Sequence, residues 1–239
     1  DLGEGGRGDE ALLEIVSSAS IACGGHAGDD ETMRVALRLA EANGVAVGAH
    51  PGFADRANFG RRRLLLSPEE LDLQVRGQVR RLVEIADGEG VPVRYLKLHG
   101  ALANMAAEEP SVSALCFAAV TGLVPDLAIL AIDSSAQVEV AEALGFRVVR
   151  EAYADRAYQP NGLLLPRSAP GAVLHDAGAI AERAIRLATH GELVAIDGTV
   201  LKSEARSLCI HGDTAEAVAI AGEVRRALEA EGIEIAAPY

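Results

Sequence analysis

Short apolar runs alternate with helical patterns along most of this 239-residue chain. Several of these runs are apolar at consecutive positions, which is typical of strands that are covered on both faces. Strands that are separated by helices predict βα units and a parallel sheet. The predicted strands are residues 20–23, 45–49, 94–98, 127–132, 146–150, 193–196 and 208–210.

The helices between these strands have recognisable ends. Ser67, Pro68 and Glu70 predict an N-cap, a first-turn proline and a capping box. Gly88 and Gly191 predict the C-termini of two helices. Hydrophobic residues make up 49% of the sequence, enough to bury a sizeable core. Because no Pro/Gly/Ser-rich linker, low-complexity tract or internal repeat interrupts the pattern, we expect one domain over residues 1–239.

The charge and the apolar runs exclude several classes of partner. A formal net charge of −13 disfavours a nucleic acid or an anionic membrane, because both require a basic face. No apolar run approaches the roughly 18 residues that a spanning helix needs, and no basic flank precedes a hydrophobic block at the N-terminus. We therefore expect a soluble, cytoplasmic protein. Cys23, Cys116 and Cys209 lie in apolar runs without CxxC spacing, which favours buried side chains over a disulfide framework or a nucleophilic thiol.

Histidines and glycines follow the predicted strands. Four of the six histidines fall there, each with a glycine within two residues: His26, His50, His99 and His211. Because the carboxyl ends of parallel strands meet on one face, we expect these side chains to share a cavity. The glycines allow a sharp exit turn and a close approach of the backbone to a ligand. A lone histidine at such a position is more often structural, but four together favour a functional site.

Other charged residues near the strand ends have competing interpretations. Lys97 has apolar neighbours, so its ammonium would either pair with a carboxylate or have a lowered pKa. Asp29 and Asp213 precede predicted helices and suit N-caps, with or without a contact to a ligand. The basic run at 58–63, NFGRRR, favours a solvated loop over recognition of a carboxylate or phosphate. The irregular segment at 158–171 is long enough to be a functional loop.

Some familiar nucleotide and hydrolase motifs are missing from the sequence. Neither GxxxxGK[ST] nor a GxGxxG after the first strand occurs, so the sequence does not predict that this chain binds ATP or a dinucleotide by itself. A GxSxG elbow is also absent, which weakens a serine-hydrolase interpretation.

Nine motifs in order carry a resemblance to a known family: DLGEG, SSASIACGGHAGD, VAVGAHPGF, NFGRRR, LSPEEL, KLHGAL, ADRAYQPNG, PRSAPGAV and HGDT. With these motifs the chain resembles the lactam-utilization (LamB/YcsF) family, the family of 5-oxoprolinase A subunits, from Asp1 to the final helix. The resemblance implies an α/β fold, an irregular (β/α) barrel of the glycoside hydrolase/deacetylase type with about seven parallel strands. It also implies that the first strand is truncated at the N-terminus. Gly25, Leu98 and Ala103 depart from the family pattern and bear on the shape of the pocket.

The activity that the resemblance implies is ATP-dependent hydrolysis of the lactam of 5-oxo-L-proline (pyroglutamate) to L-glutamate. Two further subunits, B and C, are implied as partners that handle the ATP. Carried over by motif, the catalytic positions are Asp1, His50, Lys97 and His99, and the substrate-binding positions are Glu4, His26, Asp29, Arg156, His211 and Asp213. His50 or Asp1 would be the base toward water, and Lys97 would hold negative charge.

Two other functions stay open at this point. Asp1, His26 and His50 have the residue types of a divalent-metal site, so a metal-dependent hydrolase or deacetylase of a small amide or sugar is one alternative. The other is a non-catalytic subunit that binds 5-oxoproline while its partners perform the chemistry. The oligomeric state is also open, a homo-oligomer included.

Overall fold

Parallel strands form the central sheet of the computed structural model, which describes residues 1–6 and 8–239. Across these residues the strands, in chain order, are β1 (Ser18–Ala22), β2 (Ala46–His50), β3 (Val93–Leu96), β4 (Ala128–Ile132), β5 (Arg147–Tyr153), β6 (Glu192–Val194), β7 (Val200–Lys202) and β8 (Ser207–Cys209). Six of them form the sheet in the order β1-β2-β3-β4-β5-β8. All five pairings are parallel, as the βα pattern predicts.

The sheet curls so that its two edges approach each other. Leu2 pairs in parallel with Ile21, which adds a seventh parallel segment beside β1. Gly212 follows β8 and lies against the backbone of Asp1 and the side chain of Leu2. The segment at one end of the strand order therefore meets the segment at the other end. This curled parallel sheet confirms the predicted fold class, an irregular (β/α) barrel of about seven parallel strands.

Helices surround the sheet. In the described ranges they are α1 (Asp9–Leu13), α2 (Asp30–Ala42), α3 (Pro68–Glu89), α4 (Gly100–Glu108), α5 (Pro110–Ala118), α6 (Ala136–Ala143), α7 (Ala177–His190) and α8 (Ala217–Ala230). The capping box at the start of α3 is confirmed, since Ser67 accepts from the Glu70 backbone and Glu70 accepts from the Ser67 backbone. The predicted end of α3 at Gly88 is wrong by two residues. Gly90 takes the left-handed conformation, with φ of 75°, that ends the helix.

The core lies between the strands and the helices. All five residues of β4 are buried, which agrees with a strand that is covered on both faces. Val75, Val79 and Leu82 of α3 are fully buried against the same core. Tyr95 of β3 stacks on Tyr239 with ring centroids 4.4 Å apart. A side chain at Gly48 of β2 would collide with the Tyr95 ring, so glycine is required there.

One predicted strand lies outside the central sheet. Residues 193–196 were expected to form another parallel strand, but β6 instead pairs in antiparallel register with β7. Asp197 and Gly198 lie between β6 and β7, and Gly198 has φ of 90°. An Asp-Gly pair between two apolar runs is a strong hairpin signal, and it explains the reversal of the chain. The strand β7 was not predicted from the sequence.

No helix within residues 1–6 and 8–239 has both the length and the apolar character to cross a membrane. The single-domain organisation over residues 1–239 stays a prediction.

Candidate active site

Three of the strand-end histidines form one cluster. His50 ends β2, whereas His26 and His99 follow β1 and β3, the strands on either side of β2. The ring centroids of His26 and His99 lie 3.5 Å apart, and His50 lies 5.5 Å from His26 and 4.9 Å from His99. All three residues are buried. The parallel register of three neighbouring strands therefore brings these imidazoles together, as expected from the sequence.

Two of the rings are fixed by backbone carbonyls. His50 Nδ1 donates to the Lys97 carbonyl at 2.8 Å, and His99 Nε2 donates to the Phe59 carbonyl at 2.9 Å. His99 Nδ1 then faces His50 Nε2 at 3.0 Å. Burial lowers the pKa of His50 to about 3 and lowers the pKa of His99 well below its usual range. Both rings are therefore neutral at pH 7.

Glu4 brings a carboxylate to the same cluster. Its Oε1 accepts from His26 Nε2 at 2.9 Å and lies 3.5 Å from His99 Nδ1. Burial alone would raise the pKa of Glu4, but the hydrogen bond from His26 and the nearby His50 lower it. Burial also lowers the pKa of His26. At neutral pH the cluster thus holds a carboxylate against neutral imidazoles.

Lys97 forms the centre of a second group of side chains. Its Nζ lies 2.9 Å from Glu151 Oε2, 3.1 Å from Asp1 Oδ1 and 3.0 Å from Cys209 Sγ. Burial alone would lower the pKa of Lys97, but Cys209 and Glu151 raise it well above its usual value. Since burial raises the pKa of the Cys209 thiol to about 11, that thiol is protonated at neutral pH and the carboxylates supply the opposing charge. Of the two alternatives for Lys97, the structure shows pairing with carboxylates.

Asp1 connects the two groups. Its Oδ1 accepts from Lys97, and its Oδ2 lies 3.4 Å from His50 Nε2. A cavity of about 940 Å³ reaches Asp1, Lys97, Glu151 and Cys209. This volume is of the size that small-molecule sites have. A small polar molecule in the cavity could therefore contact an ammonium and a carboxylate at once.

The fourth strand-end histidine joins the side of the site that holds Lys97. His211 donates from Nδ1 to Asp155 at 2.9 Å, and its backbone N–H donates to the same carboxylate at 3.0 Å. A ring nitrogen of His211 lies within 4.8 Å of a carboxylate oxygen of Asp1 and of Cys209 Sγ. The ring is thereby oriented by a buried carboxylate and lies next to Asp1.

The contact between Asp155 and His211 predicts a pH-dependent stability. Burial alone would raise the pKa of Asp155, but the charge and hydrogen bonds of His211 lower it from 3.8 to about 2. Because the pKa is lower in the folded state, the carboxylate stabilises the fold above about pH 4, by about 2 kcal/mol, and loses this contribution as the pH falls toward 2. The free energy of unfolding in urea should therefore be lower for Asp155→Asn at pH 7. The difference from the wild type should shrink between pH 4 and 3, and a difference that is constant with pH would contradict this assignment.

Three residues from the sequence-derived set lie outside these two groups. Asp29 is exposed and caps α2, accepting from the backbone of Glu31 and Thr32. Asp213 pairs with Arg61, and Arg167 lies 3.7 Å away. The third, Arg156, is buried, but its guanidinium donates to the carbonyls of residues 165 and 172 and so holds the irregular segment in place. The structure therefore places these three positions, for which the resemblance implies substrate binding, outside the imidazole cluster and the Lys97 group.

Sequence reasoning missed several residues of the site. Glu151 directly follows the predicted strand at 146–150, but a rule based on histidines does not select it; in the structure it lies within β5, which continues to Tyr153. Cys209 was interpreted as a small buried residue, and it is buried, yet it also contacts the ammonium. Phe59, in the basic run that favoured a solvated loop, has φ of 54° and turns its carbonyl toward His99. Extending the rule for strand ends to every polar residue would have found Glu151.

The glycine at position 25 has a local structural reason. A Cβ there would overlap the side-chain amide of Gln78 on α3. That amide donates to the Gly52 carbonyl at 2.7 Å and accepts from the Gly52 N–H at 3.2 Å. Gly25 therefore leaves room for a buried link between α3 and the segment after His50.

Comparison with known proteins decides the family. The model of the LamB/YcsF family matches residues 1–239. The chain belongs to the LamB/YcsF family. This assignment confirms the resemblance that the nine motifs carry.

Relatives of this LamB/YcsF protein are named for one activity. A protein from Agrobacterium fabrum that is named as a 5-oxoprolinase A subunit is 47% identical over 227 residues, which are 95% of this chain and 89% of that protein. A protein from Pyrococcus horikoshii with the same kind of name is 40% identical over the same shares of the two chains. The crystal structure of a lactam utilization protein from Thermus thermophilus has a TM-score of 0.89 and 41% identity, and the match covers 96% of this chain and 92% of that chain. The fold is therefore the fold of this family.

Proposed function

We propose that this chain is the A subunit of an ATP-dependent 5-oxoprolinase that hydrolyses 5-oxo-L-proline to L-glutamate together with subunits B and C. The names of its relatives and its place in the LamB/YcsF family support this activity. The observation that carries the proposal is the buried Lys97 ammonium, which contacts Asp1 while Asp1 lies 3.4 Å from His50. An ammonium, a carboxylate and an imidazole in one buried site can act on a polar carbonyl group.

Opening a lactam requires three operations because the amide is stabilised by resonance. The carbonyl must be activated, water must attack it, and the leaving nitrogen must gain a proton. Phosphorylation of the carbonyl oxygen by ATP converts that oxygen into a leaving group. We assign this step to the partner subunits, because the sequence of this chain contains neither a phosphate loop nor a dinucleotide motif. The same proposal places the complex in the cytoplasm, where ATP is available.

The remaining operations fall to this chain. Asp1 is the base toward water: Lys97 holds its Oδ1, and its Oδ2 is directed toward the imidazole cluster. Lys97 stabilises the negative charge that develops on the substrate oxygens. His50 and His99 act beside Asp1, since backbone carbonyls fix the orientation of both rings.

The substrate contacts are assigned by their distance from Asp1 and Lys97. Glu4 and His26 lie on one side of the centre, and His211 lies on the other side. Asp29, Arg156 and Asp213 are farther out, and we propose that they act by shaping the segments around the site. This division separates the groups that touch substrate from those that position the loops.

Reconstitution tests the proposal. The full chain, mixed with subunits B and C, ATP and 5-oxoproline, should form glutamate, and omission of this chain should reduce glutamate to the background of the assay. The measurement is glutamate over time by an enzyme-coupled or chromatographic assay. Glutamate formation at the same rate without this chain would refute the assignment.

A further inference from the structure

His50 and His99 present two facing nitrogens that a neutral pair of rings cannot satisfy. A carbonyl oxygen only accepts, so the protons of these rings are on His50 Nδ1 and His99 Nε2. A neutral imidazole carries one ring proton. His50 Nε2 and His99 Nδ1, 3.0 Å apart, therefore direct two lone pairs toward each other. Such a contact is unfavourable unless a cation lies between or beside the nitrogens.

The spacing of the donor atoms is that of ligands around one metal ion. Metal bonds to imidazole and carboxylate are about 2.0–2.2 Å long, so adjacent ligand atoms lie roughly 3.0–3.5 Å apart. His50 Nε2 and His99 Nδ1 are 3.0 Å apart, and Glu4 Oε1 is 3.5 Å from His99 Nδ1. Both histidines also donate their other N–H to a backbone carbonyl, which is the usual arrangement for metal-ligating histidine.

His26 lies in the same cluster, but its geometry excludes it from a shared coordination sphere. Its ring stacks on His99 at 3.5 Å with an interplanar angle of 5°. Because an imidazole lone pair lies in the ring plane, one ion cannot lie in both of these parallel planes. If His26 bound a metal through Nε2, its Nδ1 would carry the proton, and Nδ1 has no hydrogen-bond partner among the described residues. His26 instead donates to Glu4 Oε1 and orients that carboxylate.

The balance of charged side chains in the imidazole cluster and the Lys97 group also favours a bound cation. Glu4, Asp1 and Glu151 supply three buried carboxylates, with side chains 7%, 7% and 4% exposed. Lys97 supplies the ammonium between two of them. Among the side chains of the imidazole cluster and the Lys97 group, as far as the structure describes them, three carboxylates therefore face one ammonium. A cation among the donor atoms would offset this excess of negative charge.

We propose that His50 Nε2, His99 Nδ1 and Glu4 Oε1 bind one divalent transition-metal ion. Two imidazoles and a carboxylate suit zinc and the neighbouring first-row metals better than magnesium or calcium. The ligand set differs from the one that the sequence offered, since His26 is replaced by His99 and Glu4 while Asp1 lies beside the site. The site stands independently of the lactam-opening function, because it rests on donor geometry and charge alone.

Zinc binding to the full chain tests this site. After removal of metal with a chelator and desalting, the wild type should bind one zinc ion per chain in isothermal titration, with the same ratio by elemental analysis. His50→Gln and His99→Gln should each weaken zinc binding by at least about 100-fold. Loss of a residue that only orients a metal ligand costs up to about 100-fold in affinity, and loss of a ligand itself should cost at least as much. His175→Gln is the matched control, because His175 is 63% exposed and lies against Glu216. This control should bind zinc as the wild type does.

His26→Gln tests the geometry most sharply. It should retain one zinc ion per chain, whereas His99→Gln should not, although the two rings stack on each other. If a variant does not fold, bound Co²⁺ in the wild type gives an independent measurement through its visible absorption. The proposal is overturned if the wild type binds no more zinc or cobalt than His50→Gln/His99→Gln. It is also overturned if His26→Gln loses the ion and His99→Gln keeps it, or if metal-free protein shows a proton shared between His50 and His99 and binds no ion.

Discussion

Lys97→Met is expected to reduce glutamate formation by the reconstituted complex by roughly 10²–10³-fold or more, the range seen when a single charge-stabilising donor is removed. Methionine has a similar length but no charge, so the variant removes the ammonium that contacts Asp1 and Glu151. The loss should appear in kcat, because the charge that Lys97 stabilises develops during the reaction. Steady-state kinetics with purified subunits measures it.

The same variant should also lose stability, and this effect must be separated from the catalytic one. Removing one member of a buried ion pair costs about 3–5 kcal/mol because it leaves an unpaired charge. Urea denaturation at pH 7 measures this loss. The control is Lys97→Met/Glu151→Gln, which removes a charge of each sign and should recover much of the stability without recovering activity. An active Lys97→Met enzyme would instead favour a non-catalytic subunit that only binds 5-oxoproline.

Asp1→Asn is expected to lower kcat by about 10²–10⁴-fold, the usual contribution of a general base, with a much smaller change in KM. Asparagine keeps the shape of the side chain and can still accept from Lys97 through Oδ1, so the fold should be retained. Loss of activity with retained stability would therefore report the missing base.

A matched variant makes the Asp1 experiment interpretable. Asp197→Asn makes the same chemical change at an exposed turn between β6 and β7 and should leave kcat unchanged. Unfolding curves of both variants show that any change in rate is not a change in the folded fraction. An unchanged kcat in Asp1→Asn would remove Asp1 as the base.

The parts of the site that could be predicted depend on topology. The rule that parallel strands end on one face places His26, His50 and His99 together without knowledge of any contact. The cap of α3 follows from Ser67 and Glu70, because capping is a local interaction. These predictions need only the order of residues along the chain.

The parts that could not be predicted depend on contacts between distant segments. Lys97 and Glu151 are 54 positions apart, and no local pattern pairs them. Cys209 lies in an apolar run, so its contact with an ammonium is visible only in three dimensions. For Asp29 the sequence leaves two roles open, a helix cap and a ligand contact, and the structure shows that it caps α2. The tautomers of His50 and His99 likewise follow from carbonyls that the sequence does not identify.

Glutamate production by Lys97→Met/Glu151→Gln tests the central assignment most directly. The double variant, mixed with subunits B and C, ATP and 5-oxoproline, should show an unfolding curve close to that of the wild type and glutamate at the background level. A folded double variant that forms glutamate at the wild-type rate would contradict the assignment of lactam opening to the Lys97 site.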